Sequence, residues 1–570
     1  EILRHKGRIF QIGNPAFFLF FLQNVILFPS FSFLLSFSIF FFPLLFFQYI
    51  FLILHFQAIK WRVLRFYYMI KEKKDDSYSH ILKYTGIFGG VQGLNILMSM
   101  VRNKLVAIIL GPEGMGLISL FNSSIKLVSD STSLGISMSA VREVSEAYEH
   151  GDEEKLNHIV SLVRLWSFLT ALFGMLVCVI FSPFLNRFTF SWGDHTHHFV
   201  LLSPVVAMMA ITGGELAILK GTRRLKSLAV ISVYGVIGAL ITSIPLFYIW
   251  GESAIVPSIA LVALLQMVLA CCYSFRLFPA FFAMSFSRIK SLLGEGLGMV
   301  RLGVAFILAG ILGSGAEFAV RSYLNYTSGL DMVGFYNTGF MMTMTYAGMV
   351  FQAMETDYFP RLSAIEGTGS ELNSVVNKQI EVSLLLVSPL LSVFILASPL
   401  ILHVLFSAKF LPVVGMMKIA LMAMYFRSIT LPIEYITLSK GDSKSYLFLE
   451  ALYDVLLIAL VILGFRLWSL EGTGIALFLL GIINLVVVLC FMRYRYHYRP
   501  SRQVVVYFAV QMLLGIFTYW ASCLENPVMS WGIGGLACLV SLAFSLKVLH
   551  SKTKLWNSLV LQVKSKLKKK

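Results

Sequence analysis

Runs of about twenty apolar residues recur along almost the whole chain, and this pattern restricts the fold more than any other feature. A bilayer core about 30 Å thick needs roughly 20 apolar helical residues to cross it. Only 13% of the residues are charged, against about 25% in a typical soluble domain. The two-residue alternation of a membrane β-barrel is absent. The expected fold class is therefore an all-α polytopic membrane protein with about 14 transmembrane helices. From Lys83 onward the expected spans fall at about 84–108, 116–140, 159–182, 199–219, 227–249, 253–275, 296–320, 333–355, 378–400, 413–437, 446–465, 472–492, 503–522 and 528–548.

The net charge of +17 does not point to nucleic acid. Lys and Arg lie in short clusters between apolar runs, as positive-inside topology requires. Alternate loops carry Lys220, Arg223, Arg224 and Lys226, then Arg276, Arg288 and Lys290, then Arg361 and Lys378, then Lys440 and Lys444, then Arg493, Arg495, Arg499 and Arg502. The tail "KSKLKKK" joins this set, so both the N-terminus at Met69 and the C-terminus are expected in the cytoplasm. The six cysteines show no metal-ligand spacing and read as buried thiols. The "DHTHH" stretch at 194–198 reads as a solvated loop, and no metal or cofactor is expected.

Residues 1–68 stand apart. They are Phe-rich and lack Met, although the chain has 24 Met, and Met69 opens the charged stretch "MIKEKKDDSYSH". They are either one or two extra membrane helices or an uncleaved signal, or an upstream extension with no part in the activity; the last reading is preferred. The expected organisation is 1–68 as this extension, 69–290 as a first lobe of six helices, 291–495 as a second lobe of six, 496–550 as an extra helix pair and 551–570 as a basic cytoplasmic tail.

The two lobes are read from an internal repeat. Residues 109–120 read "ILGPEGMGLISL" and residues 328–337 read "SGLDMVGFYN". Aligning Gly111 with Gly329 pairs Glu113 with Asp331, Gly116 with Gly334, Leu117 with Phe335 and Ser119 with Asn337. With one residue of gap, Arg102 meets Arg321 and Asn95 meets Ser314. Gly111, Gly116, Gly329 and Gly334 are expected to form the tight turns between each lobe's first and second helices. Equal orientation of the copies makes this a parallel repeat about an axis along the membrane normal.

Polar side chains at membrane depth are the candidate site. Gln92, Asn95, Ser99 and Arg102 share one face of the first span. Ser314, Glu317 and Arg321 repeat the arrangement in the seventh, and Lys126 stands in the second. An embedded Arg or Lys costs at least about 2.5–3.5 kcal/mol unless it faces water or a partner. These residues read as a wet, net-cationic lumen formed by spans 1, 2, 7 and 8. The competing account is internal pairing, such as Arg321 with Glu317 one turn earlier, or Lys104 snorkelling to the interface. Asp130, Glu355 and Asp357 are candidates for ion coupling. No nucleotide-binding loop is present, and no feature supports an enzyme.

The opening stretch "YTGIFGGVQGLNILMSMVRNKLVAIILGPEGMGLISLFNS" (84–123), the two six-helix lobes and the extra final pair resemble the polysaccharide transporter branch, including O-antigen flippases, of the multidrug/oligosaccharidyl-lipid/polysaccharide (MOP) exporter superfamily. The resemblance covers about 80–570. It implies a transporter of the bacterial inner membrane that serves lipopolysaccharide or related surface polysaccharide synthesis. The cargo would be an undecaprenyl-pyrophosphate-linked oligosaccharide, moved by alternating access through a cationic cavity. It implies membrane lipids and polysaccharide polymerase and ligase machinery as further partners, and a monomer, since two lobes already supply a pseudo-symmetric pair. A cation antiporter of the same superfamily, a lipid II flippase, and a scaffold or glycosyltransferase are the rival readings.

Overall fold

A computed structural model describes residues 77–190, 193–278, 286–365 and 367–552; the extension at 1–68 and most of the basic tail at 551–570 lie outside them. The first lobe comprises α1 (Ser77–Thr132), α2 (Ile136–Glu149), α3 (Glu153–Thr189), α4 (Thr196–Gly221), α5 (Leu225–Trp250) and α6 (Ile255–Leu277). The second comprises α7 (Phe286–Ser328), α8 (Leu330–Phe340), a π-helical segment (Met341–Ala347), α9 (Met349–Ser363), α10 (Ser370–Leu396), α11 (Ser398–Leu405), α12 (Val413–Ser439) and α13 (Ser443–Tyr496). The pair α14 (Arg502–Ser522) and α15 (Pro527–Lys552) follows.

Nine stretches among the described residues are long and apolar enough to cross a membrane. Several are double. α1 bends at Gly111 and α13 at Trp468–Ser469. In α13 the two arms fold back until Gly464 and Gly472 touch backbone to backbone. With each arm counted, the described residues hold the fourteen expected spans. The boundary expected at 290/291 falls inside α7, which starts at Phe286.

The repeat is written in the backbone. Gly111 has φ 69° and ψ −166°, and Gly329 has φ 87° and ψ −178°. At the same offset along the chain, Gly251 (φ 56°, ψ −133°) matches Ser469 (φ 52°, ψ −137°). Arg223 (φ 55°) likewise matches Gly441 (φ 66°). Left-handed conformations recur at equivalent chain reversals of both lobes, with Gly supplying most of them because it has no Cβ.

Gly116 and Gly334 depart from the expectation. Both lie within helices, not in the turns. They are where the lobes meet. A Cβ on Gly116 would overlap the carbonyl of Leu330, and a Cβ on Gly334 would overlap the carbonyl of Pro112. Pro112 and Leu330 are themselves repeat-equivalent, so the contact is reciprocal about the pseudo-axis. Small residues allow such backbone approach between membrane helices. Leu120, Phe121, Val333 and Met416 pack in one core that runs through both lobes. Asn325 Nδ2 donates to the Thr189 carbonyl at 2.7 Å, a further tie between α7 and α3.

The final pair sits against the second lobe. Gly515 packs on Tyr425, the Lys418 ammonium donates to the Ser522 carbonyl at 2.8 Å, and Lys552 pairs with Glu381 of α10. At the start of α13, Asp442 accepts from the Ser445 N–H at 3.1 Å and from the Tyr496 hydroxyl at 2.9 Å. Burial opposes its ionisation, but these donors, the Ser445 hydroxyl and Arg495 hold its carboxyl down at about 2.

Two outcomes follow. Gly116→Ala or Gly334→Ala lowers the thermal midpoint of the detergent-solubilised protein, at a cost of about 1–3 kcal/mol for an overpacked contact. Asp442→Asn lowers it too, and that difference is full at neutral pH. The depressed carboxyl stabilises above its unfolded value near 4 and loses its contribution as pH falls towards about 2. Melting curves of both proteins between pH 7 and pH 3 check the convergence.

Candidate functional site

Behind the glycine crossing lies a cavity of about 220 Å³, lined by both arms of α1 and by α7, α8 and Met341. Its charged lining residues are Arg102, Lys126, Glu317 and Arg321. Three cations stand against one carboxylate. α1 contributes to both sides because Gly111 turns its second arm back beside the first.

Arg321 is the most constrained of the four, with a side chain 8% exposed. Its Nε donates to Ser119 Oγ at 2.8 Å, Nη1 to the Glu317 carbonyl at 3.1 Å and to Glu317 Oε2 at 3.2 Å, and Nη2 to Asn337 Oδ1 at 3.2 Å. Ser119 and Asn337 are repeat-equivalent positions, so one guanidinium is gripped from both lobes by matched residues. Its five donors in a fixed fork suit such multiple acceptance. The second Glu317 oxygen accepts from Lys126 Nζ at 3.1 Å, across the lobe boundary.

Arg102 is handled differently. Its Nε donates to Ser243 Oγ of α5 at 3.2 Å, and no carboxylate among the described residues lies within pairing distance. The adjacent Asn103 Nδ2 donates to the Tyr346 hydroxyl at 3.0 Å, tying α1 to the π-helical segment. Lys104 points elsewhere and donates to the Val404 carbonyl at 2.6 Å. The pairing of Arg321 with Glu317 is thus present, and Arg102 and Lys126 give the cavity its surplus positive charge.

The remaining candidates scatter. Asn95 and Ser99 are half-buried on α1 but do not line the cavity; Asn95 Oδ1 is buried without a hydrogen-bond partner among the described residues. Ser314 donates to the Gly310 carbonyl at 2.8 Å and faces Asp130. Asp130 stands beside Lys126 and Glu317. Gln92 lies on α1, and Glu355 and Asp357 on α9; their side chains lie outside the described ones. The histidine stretch is not simply solvated: His195 packs on Phe190, with ring centroids 4.2 Å apart, and its Nδ1 is 3.2 Å from that of His198.

Two further charged groups appear only in the packed structure. In the second lobe, Arg427 and Glu434 of α12 face Glu450 of α13 and Asn484 around a cavity of about 80 Å³. Asn484 Nδ2 donates to Glu434 at 2.9 Å, and Asp454, one turn beyond Glu450, has a buried Oδ2 without a hydrogen-bond partner among the described residues. Four-residue spacing of Glu450 and Asp454 was the available signal. In the first lobe, Arg164 forms a two-point pair with Glu215 at 2.9 and 3.2 Å and also donates to the Phe278 carbonyl at 2.9 Å. That group is a closed structural clamp at the end of α6.

A family model described as Polysaccharide biosynthesis protein matches residues 81–366. Among solved structures, the chain is similar to a lipid II flippase MurJ in an inward closed conformation, with 14% identity and a TM-score of 0.59 over 81% of this chain and 99% of that one. It is also similar to an inward-facing multidrug resistance MATE family transporter of the MOP superfamily, with 14% identity and a TM-score of 0.57 over 71% and 94%. An outward-facing transporter of the same kind gives 14% identity and 0.53 over 75% and 99%. At this identity the likenesses establish the fold. A comparison with curated proteins finds no match.

The two kinds of embedded arginine separate by stability. Arg164→Gln strands Glu215 and costs about 3–5 kcal/mol. Arg102→Gln gives up one hydrogen bond and changes stability by about 1 kcal/mol or less. Heating followed by size-exclusion chromatography of the solubilised variants checks the contrast.

Proposed function

The chain belongs to the polysaccharide biosynthesis protein family matched over residues 81–366, and on that premise we propose that it is a flippase carrying a diphosphate-linked oligosaccharide across a bacterial inner membrane. The observation that carries this reading is the unbalanced positive charge of the cavity between the lobes. Three cations and one carboxylate at membrane depth leave a site that favours an anion. Arginine fits a diphosphate through paired N–H donors. Arg102 is the best-placed first contact, because its terminal nitrogens have no carboxylate to displace among the described residues. Asn103, Asn122 and Ser123 line the same cavity and can hydrogen-bond sugar hydroxyls. The polyprenyl tail remains in lipid.

In this reading the glycine crossing closes the outer face, with both termini in the cytoplasm, and the lobes rock about it. The cargo is an O-antigen unit or a related surface polysaccharide unit, the protein works as a monomer, and Asp130, beside Lys126, is the coupling candidate. Polymerase and ligase machinery would take over the delivered unit. The chain acts as a transporter and not an enzyme. A second reading, a cation antiporter, draws on the carboxylates Glu434, Glu450 and Asp454 in the second lobe.

Deletion of the gene, followed by extraction of lipid-linked glycans and staining of surface polysaccharide, tests the proposal. The expected outcome is loss of surface polysaccharide with accumulation of the diphosphate-linked unit inside. Arg102→Gln restores less than about a tenth of the transport at normal membrane abundance, since a charged hydrogen bond is worth about 1.5–3 kcal/mol. Unchanged glycans with new drug sensitivity would transfer the function to the carboxylates.

A further inference from the structure

One carboxylate in the cavity is shared between cations of the two lobes. Glu317 Oε2 accepts from Arg321 within α7, and Oε1 accepts from Lys126 on the second arm of α1. The Glu317 side chain is 29% exposed and Lys126 47%, so the bridge faces the open cavity. Arg321, in contrast, is fixed from behind by Ser119 and Asn337. Arg321 is therefore held in place, and the Glu317 carboxylate that bridges it to Lys126 faces the open cavity and is free to move. A bridging anion with one oxygen on each of two cations is also how a diphosphate would sit.

We infer that Glu317 is a built-in competitor that occupies the anion position of the empty cavity and yields it to the diphosphate of the cargo. The inference rests on the flippase reading above. A tethered carboxylate competes as an intramolecular ligand at high effective concentration. It therefore weakens cargo binding at every turn of the cycle. That weakening has a use. An anion held by Arg102, Arg321 and Lys126 in a poorly screened site would bind strongly, and conduction or transport requires that it also leave. Asp130 and Asp454 stand near the Glu317 carboxylate. Arg321 and Lys126, which Glu317 bridges in the empty cavity, draw it back once the cargo departs. Displacement of Glu317 also breaks the Lys126–Glu317 bond, which joins the lobes, so cargo entry removes one of their ties.

The test is binding of farnesyl diphosphate to the detergent-solubilised full chain by isothermal titration. Glu317→Gln binds it about tenfold tighter, the ratio given by 1.4 kcal/mol of relieved competition, and flips the native unit more slowly in the complemented deletion strain. Glu317→Ser, which leaves no bridging group, shifts both readouts in the same direction and covers a failure of the Gln variant to accumulate. Equal or weaker binding by the Glu317 variants, with binding lost in Arg321→Gln, overturns the competitor role and leaves the flippase reading intact. Binding that survives in Arg102→Gln, Lys126→Gln and Arg321→Gln alike overturns the anion site itself, and the competitor role with it.

Discussion

The backbone contact between Gly116 and Gly334 sets the distance between the lobes, and the charge network depends on that distance. Any larger side chain at the crossing would push the second arm of α1 away from α7 and α8. Ser119 lies one turn from Gly116, and Lys126 lies two turns further on. Bonds of 2.8 Å from Arg321 to Ser119 and 3.1 Å from Lys126 to Glu317 tolerate little displacement. Close approach of two glycines therefore determines which charges of one lobe reach the other.

The membrane makes that reach consequential. Water is scarce at this depth, so a cation is stabilised by what the protein places beside it. Arg164 has a complete set of partners and stays within one lobe. Arg321 also has a full set, but its acceptors come from both lobes. Arg102 has one neutral acceptor. This gradation, from closed to shared to open, separates residues that hold a lobe together from those that respond when the lobes move.

Much of this was legible in the sequence, for identifiable reasons. Span positions follow from apolar length, which the bilayer fixes. Gly111 and Gly329 stood out because a positive φ at a reversal favours glycine strongly enough to leave a visible mark. The Gly251–Ser469 equivalence was invisible, since a serine in that conformation carries no signature. Gly116 and Gly334 were recognised as a pair but misplaced in the turns: a glycine needed for its conformation and one needed for close approach look alike in a string. Arg102 and Arg321 were matched by position, and Glu317 one turn from Arg321 was visible, but Ser243 and Ser119 come from elements with no fixed spacing to the arginines they hold. The Arg427, Glu434 and Glu450 group escaped for the same reason; it exists only once α12 and α13 are packed.

The repeat-equivalence of Ser119 and Asn337 has a consequence for directionality. In a perfectly two-fold molecule, residues meeting at the axis would be identical, and neither lobe would differ from the other. Here serine faces asparagine on a single guanidinium, and that guanidinium belongs to one lobe alone. At the same offset the first lobe has Asn103, and the neighbouring Arg102 has a different partner, Ser243. Symmetry is thus kept in the hinges and broken in the charges. The same bends let both halves move alike, while an unequal lining gives a passing molecule two distinguishable sides to lean on.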